Sequence, residues 1–175
     1  MKRYVSPETK ALLHPGTTSY DILDTARSHL QRKAWYEIIR PKVLEAVSKI
    51  TDKAEMALDE SYLQAGRTHL QDTSPVLFGQ ALSIYAARLA RRVKKTDECV
   101  GELKGKISGI VGTGASIDAV IGEGKSMEFE KAVLDKLGLE PDYTATQIVQ
   151  KEELADAGNA ITTMMLVLKD CANDL

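Results

Sequence analysis

Gly66-Arg67-Thr68-His69-Leu70-Gln71-Asp72 is a short polar stretch set between the two longest helical patterns of a 175-residue chain. On either side the sequence reads as helix for tens of residues. Within the stretch a histidine is flanked by a hydroxyl, an amide, a carboxylate and a guanidinium. A turn this rich in chemistry, held between long rigid rods, is where a site is expected. The alternative is a polar helix–helix connection whose histidine caps a helix end.

Upstream, His14-Pro15-Gly16 reads as a turn that closes an extended lead-in over residues 1–16. Thr17, Thr18 and Ser19 follow, with Asp21 and Asp24 behind them. A hydroxyl cap with acids in the first turns marks a helix N-terminus. From there Ile22, Ala26, Leu30, Ala34 and Ile38 recur every four residues. Pro41 removes a backbone donor and predicts a kink or restart. Leu44, Val47, Thr51, Ala54, Leu58 and Tyr62 carry the pattern on. Together the two segments run about 45 residues, or roughly 65 Å at 1.5 Å per residue, and need partners of similar length.

Downstream, Ser74-Pro75 reads as a cap with proline at the first helical position. The second long helix is expected to reach about Lys104. Its apolar stripe is Leu82, Tyr85, Leu89, Val93, Thr96, Val100 and Leu103. The opposite face carries Arg88, Arg91, Arg92, Lys94 and Lys95, a solvated or salt-bridged surface or, alternatively, a phosphate contact. Gly105 to Gly124 is glycine-rich. It lacks the spacing of a P-loop, and no strand precedes it. Such a loop either lets backbone N–H groups approach an anion or connects helices flexibly. A short helix from about Met127 to Leu137 is capped by Ser126 and closed by Gly138. The last helix shows Leu154, Gly158, Ile161, Met165, Leu168 and Ala172 as its seam, with Gly158 permitting close approach.

A net charge of −2 implies no charge-driven nucleic-acid partner. The longest apolar run is far too short to span a bilayer, and no signal peptide is evident. Cys99 and Cys171 read as free thiols of a reducing compartment, so a cytoplasmic protein is expected. Aromatics make up only 5% of the chain, which favours helix over sheet. The expected fold is all-α: one domain of long antiparallel helices whose apolar stripes call for self-association into a larger bundle.

His14-Pro15-Gly16-Thr17-Thr18-Ser19-Tyr20-Asp21-Ile22-Leu23-Asp24-Thr25-Ala26 resembles the H-x-G-x-T-S-x-D-x-x-D-T-A segment of adenylosuccinate lyases. Gly66-Arg67-Thr68-His69 with Leu70-Gln71-Asp72, Pro75 and Gly79 resembles the corresponding segment of the wider fumarase/aspartase superfamily. Gly105-Lys106-Ile107-Ser108-Gly109-Ile110-Val111-Gly112-Thr113 is similar to a glycine-rich loop of adenylosuccinate lyases, and Thr146-Gln147 with Gln150 to their TQ-x-x-Q segment. The four motifs stand in the superfamily's order over nearly the whole chain. The chain is identified on them as a superfamily member, most like adenylosuccinate lyase in its central helical region. Argininosuccinate lyase, fumarase/aspartase and carboxymuconate cycloisomerase remain open alternatives.

The resemblance implies β-elimination that releases fumarate from a succinyl-bearing substrate, adenylosuccinate of purine biosynthesis foremost. It assigns His69 the role of general acid, which suits an imidazole near neutral pH. It gives substrate-binding places to His14, Thr18, Ser19, Thr68, Lys106, Ser108 and Gln147. It implies no metal and no cofactor, and a homotetramer whose active sites each draw on three subunits. The superfamily's G-S-S-x-M-P-x-K-x-N loop, with its serine base, does not occur in these 175 residues. Lys151-Glu152-Glu153-Leu154 stands where the adenylosuccinate lyase pattern has a basic, histidine-containing run. On that reading the chain is a fragment lacking an N-terminal domain and the C-terminal catalytic loop and domain, and is inactive alone. The competing reading is a non-catalytic helical scaffold.

Overall fold

A computed structural model describes Ser6, Glu8, Thr9 and residues 13–175. Most of the expected extended lead-in lies outside the described residues. Among the described residues the chain is mainly helical, with two small two-stranded sheets. It divides into two compact units, residues 1–33 with 100–155, and residues 34–99 with 156–175.

In the first unit, helix α1 spans Ser19–Lys33. Its N-terminus falls where the hydroxyl-and-acid pattern predicts, and the acid holds it. The Thr18 N–H donates to Asp21 Oδ2 at 2.7 Å, the reciprocal half of a capping box. The buried face of α1 is polar, comprising Asp21, Asp24, Thr25 and Ser28, while Ile22, Leu23 and Leu30 are exposed. Further along the unit lie α4 (Ala115–Ile121), α5 (Ser126–Lys136) and a parallel pair of two-residue strands, β3 (Lys104–Gly105) and β4 (Glu140–Pro141). Ile107, Ile117, Leu134 and Leu139 form the apolar core. The α5 helix closes at Gly138 (φ 69°) as expected, with Leu139 N–H donating to Leu134 O at 3.0 Å and Gly138 N–H to Asp135 O at 3.1 Å. These are the paired bonds of a left-handed C-terminal cap, sealed by Leu134 and Leu139 in the core. Ser126 is not the N-cap. It is the first helical residue, and its N–H donates to Asp118 Oδ1 at 2.7 Å.

In the second unit, Ala34–Ile39 winds as a π-helix and α2 resumes at Arg40–Asp59, with Pro41 in its first turn. The restart expected at Pro41 therefore takes the form of a widened turn ahead of it. Proline lacks the N–H that would reach residue 37, and its ring crowds that carbonyl, so a wider turn relieves the clash. The π geometry stacks residues five apart. Trp35 Nε1 and Arg40 Nε both reach Asp97 Oδ1, each at 2.8 Å. Asp97 belongs to α3, Phe78–Gly101, which buries Leu82, Ala86, Leu89, Val93, Thr96 and Val100, close to the expected stripe. Gly79 has no room for a side chain: an added Cβ would lie 2.5 Å from the Leu58 side chain of α2. On α3's outer face Arg88 pairs with Asp170 at 2.8 Å, and Lys95 lies 3.5 Å from Glu98, in keeping with a salt-bridged surface.

Two expectations in this unit are corrected. Residues 62–77 continue neither long helix. Ser61 turns the chain at φ 54°, and an antiparallel hairpin follows, β1 (Leu63–Thr68) and β2 (Gln71–Leu77). Ser74 and Pro75 lie in β2, not at a helix start. Pro75 is tolerated because a two-stranded ribbon needs few of its N–H groups. The last helix, α6 (Glu152–Asp174), buries Ala157, Ala160, Met164, Val167 and Cys171. That stripe lies about one residue away from the predicted seam, and Gly158 faces open space. Apolar residues occur on both flanks of α6, so spacing alone did not distinguish the faces.

Candidate active site

In the second unit, Thr68 and Gln71 pair across the tip of the β1–β2 hairpin, leaving His69 and Leu70 as a two-residue turn. Their φ angles are 50° and 61°. A type I′ turn needs positive φ at both central positions and normally takes Asn-Gly. Here the tip instead carries an imidazole and an apolar side chain, in a conformation that costs about 1–2 kcal/mol per non-glycine residue. Strain of this kind is a pointer to function. His69 is exposed and Leu70 is 95% exposed. Below the tip Arg67 Nε donates to Asp72 Oδ1 across the strands at 3.0 Å. The register shifts between Ala65 and Arg67, placing a bulge at Gly66. Bulges twist a ribbon and re-aim the side chains beyond them. A cleft of about 610 Å³ lies beside the hairpin, lined in part by Gln64, Arg67, Leu70, Tyr85 and Asp174. The Tyr85 hydroxyl donates to Asp174, and this bond, with burial, pushes the phenol up to about 12.

In the first unit, the glycine-rich loop is built against α1 by polar contacts. The Asp21 carboxylate accepts hydrogen bonds from the N–H groups of Thr18 (2.7 Å), Gly109 (3.1 Å) and Ser108 (3.3 Å), and pairs with Lys106 Nζ. Lys106 Nζ also donates to Gly109 O at 2.8 Å. Asp21 and Lys106 are both fully buried. Thr25 holds the same segment from one turn on: its hydroxyl donates to Lys106 O at 2.9 Å and accepts from Lys106 N–H at 3.0 Å. Thr18, Lys106 and Ser108 are thus brought together around one carboxylate. Lys106 serves the inside of this cluster, with its ammonium spent on Asp21 and a loop carbonyl. The Ser108 side chain turns toward Glu130, whose carboxylate also accepts Ile107 N–H at 2.6 Å. Burial raises the Glu130 carboxyl above the ordinary range, against the opposing pull of the Ile107 N–H and Lys106. Ser108 and Glu130 line a second cleft of about 210 Å³ with Thr113, Ser126, Asp142 and Tyr143.

Gln147 is exposed on a segment pinned at both ends. Asp142 accepts Thr144 Oγ1 at 2.6 Å and the N–H groups of Thr144 and Gln150, each at 3.0 Å. Burial pushes the Asp142 carboxyl up, but these hydrogen bonds outweigh it and hold the group below its ordinary range. Asp24 accepts Val149 N–H at 3.1 Å and pairs with Lys151 Nζ at 2.8 Å. Lys151 and Glu153, which depart from the adenylosuccinate lyase pattern, are used internally, Glu153 lying 3.4 Å from Lys104. His14 and Ser19 are exposed and Thr18 is half-buried. The His14 turn is tied to α4 by the Ser116 hydroxyl, which donates to Gly16 O at 2.6 Å. His69 and Thr68 belong to one unit, and the other six expected site residues to the other.

A family model described as lyase matches residues 1–175. The chain belongs to the lyase family. This family's adenylosuccinate lyases are the chain's relatives. That of Methanocaldococcus jannaschii is 35% identical over 146 residues, covering 82% of this chain and 30% of the relative. That of Bacillus subtilis is 32% identical over 151 residues, covering 85% and 32%. That of Streptococcus mutans is 28% identical over 169 residues, covering 96% and 37%. This lyase-family chain therefore spans about a third of the length of these relatives. The membership agrees with the fumarase/aspartase resemblance carried by the four motifs.

Sequence reasoning missed Asp21, Asp24, Thr25, Glu130 and Asp142 as the residues that assemble the lyase-family loops. A signal was present: positions 21, 24, 25 and 28 share one helical face, and all are polar. An all-polar stripe at helical spacing marks an inward face when loops bearing unpaired N–H groups pack on it.

Proposed function

We propose that the chain belongs to an enzyme that releases fumarate from adenylosuccinate by β-elimination. A base takes the proton from the carbon next to a carboxylate, and that electron pair becomes the new C=C bond. The C–N bond breaks, and the departing nitrogen takes its pair and a proton from His69. Thr18 and Ser19 hold a substrate carboxylate at the N-terminus of α1, where N–H groups and the helix dipole favour an anion. Gln147 and Thr68 orient the fumaryl portion. Charge that builds on the carboxylate in the transition state is what such donors stabilise. The enzyme is a cytoplasmic homotetramer.

The observation that supports this reading most is the strained His69–Leu70 tip, which displays an imidazole where an Asn-Gly turn would be more stable. Its test is fumarate release by the purified chain, with adenylosuccinate, argininosuccinate, malate and aspartate offered separately. The chain alone is expected to release none. Mixed with a lyase chain that supplies the serine base, it is expected to release fumarate from adenylosuccinate, an activity lost when His69→Ala is introduced at unchanged melting temperature. Fumarate from another substrate would rename the enzyme. No fumarate from any in that mixture, with no ligand-induced stabilisation, would abandon catalysis by this chain. The second reading, a helical scaffold that oligomerises without chemistry, is favoured by the exposed apolar face of α1, where Leu30 is 62% exposed.

A further inference from the structure

We infer that Asp21 and Lys106 form a positioning pair for the candidate site: the shared carboxylate fixes the Thr18 cap of α1 and the Ser108–Gly109 backbone in one arrangement, so that the α1 N-terminus meets a ligand carboxylate already set. The inference rests on the carboxylate-binding role proposed above for Thr18 and Ser19. It assigns Lys106 and Ser108 to the shaping of that corner and takes them out of direct contact with the ligand.

Asp21 Oδ2 accepts from Thr18 N–H and Gly109 N–H, and Oδ1 from Ser108 N–H and Lys106 Nζ. A single carboxylate therefore carries both the helix cap and the loop. It needs full charge to accept four donors, and a fully buried charge needs a partner. Lys106 supplies it, and its remaining bond, to Gly109 O, closes a ring through the loop itself. Gly109 fits this ring because its φ of 80° is open to glycine and because an added Cβ would lie 2.5 Å from Ser116 Oγ. Ser116 in turn holds Gly16 O, one residue ahead of Thr17. Loop, cap and turn are thus locked from two sides. An anion site gains affinity when its donors are ordered before the ligand arrives.

The test uses the full chain, backbone-amide NMR and fumarate as the dicarboxylate probe. In the unaltered protein, fumarate is expected to shift the Thr18 and Ser19 amides. The paired variant Asp21→Asn/Lys106→Met removes both charges at similar volume, so no buried charge is left alone. It is expected to fold, to exchange its Ser108 and Gly109 amides faster, and to bind fumarate about tenfold more weakly, the scale of one charge-assisted hydrogen bond. Ile121→Ala, which trims the nearby core, is expected to lower the melting temperature but keep the fumarate affinity. A general loss of stability would not produce that split. Should the paired variant not fold, Asp21→Glu keeps the charge and displaces the carboxylate by one methylene, with the same weakening expected. Unchanged fumarate affinity in a folded variant overturns the inference. An unaltered protein whose Thr18 and Ser19 amides ignore fumarate overturns the carboxylate-binding reading and the inference with it. Faster exchange at Ser108 and Gly109 in the variant would then show that the anchor exists and that the ligand assignment had failed.

Discussion

Helix α3 buries Leu82, Ala86, Leu89 and Val93, whereas α1 buries Asp21, Asp24, Thr25 and Ser28 and leaves Ile22, Leu23 and Leu30 outside. Both helices are amphipathic, and they turn opposite kinds of face inward. The difference lies in what packs on them. Within its unit α1 meets backbone of the 106–109 loop and of Val149, whose N–H groups are not satisfied by helix or sheet. Such groups need acceptors once buried, and carboxylates one turn apart supply them. Amphipathic spacing identifies two faces. The chemistry of the neighbouring segment decides which of them goes in.

The largest test of this contrast is Asp21→Asn. It removes the carboxylate bonded to the buried Lys106 ammonium and is expected to destabilise the protein by roughly 3–5 kcal/mol in urea unfolding. The paired variant Asp21→Asn/Lys106→Met is expected to recover most of that loss. In α3, Leu89→Ala should cost about 3 kcal/mol by the same measurement, since Leu89 is fully buried. Loss of less than about 1 kcal/mol there would mean that the apolar stripe does not carry its unit.

At the hairpin tip, Leu70→Gly should raise stability by about 1 kcal/mol, because glycine adopts φ 61° without penalty. No gain would remove the strain argument for the tip. A smaller, pH-dependent effect is expected at Glu130. Burial raises its carboxyl above the ordinary 4.5 in the folded state. The folded state then holds the proton more tightly, so this stabilising contribution is full below pH 4.5 and is lost as pH rises through the raised value. Glu130→Gln should flatten that stretch of the stability curve. An unchanged slope in thermal unfolding from pH 4 to 7 would show that Glu130 is not the group responsible. Smallest of all, Leu30→Ala on the exposed face of α1 should change stability by no more than about 0.5 kcal/mol. A loss as large as that of Leu89→Ala would show the apolar face of α1 to be covered in solution.

Much of the helical framework was legible. The α1 N-terminus, the restart near Pro41, the α3 stripe and the Gly138 cap each rest on local rules: a capping oxygen, a missing N–H, a 3.6-residue period, a left-handed glycine. The hairpin was not legible, because Ser74-Pro75 satisfies the local rule for a helix start as well as it fits a short two-stranded ribbon. The α6 seam was displaced because Met164 and Met165, or Val167 and Leu168, are equally apolar neighbours, and only packing selects between them. In the candidate site, the motifs that carry its residues were legible from residue type and spacing. That Lys106 points inward and Gln147 outward was not, since both are long polar side chains on irregular segments.

By itself, then, the sequence determined most of the helical segments, the order of the four motifs and membership in the lyase family, because these depend on residue type and spacing along the chain. The tertiary structure decided that α1 turns its carboxylates inward, that Asp21 binds cap and loop together, and that His69 sits at a strained hairpin tip. These depend on which unpaired backbone groups a distant segment brings close, and on whether a buried charge finds its partner there.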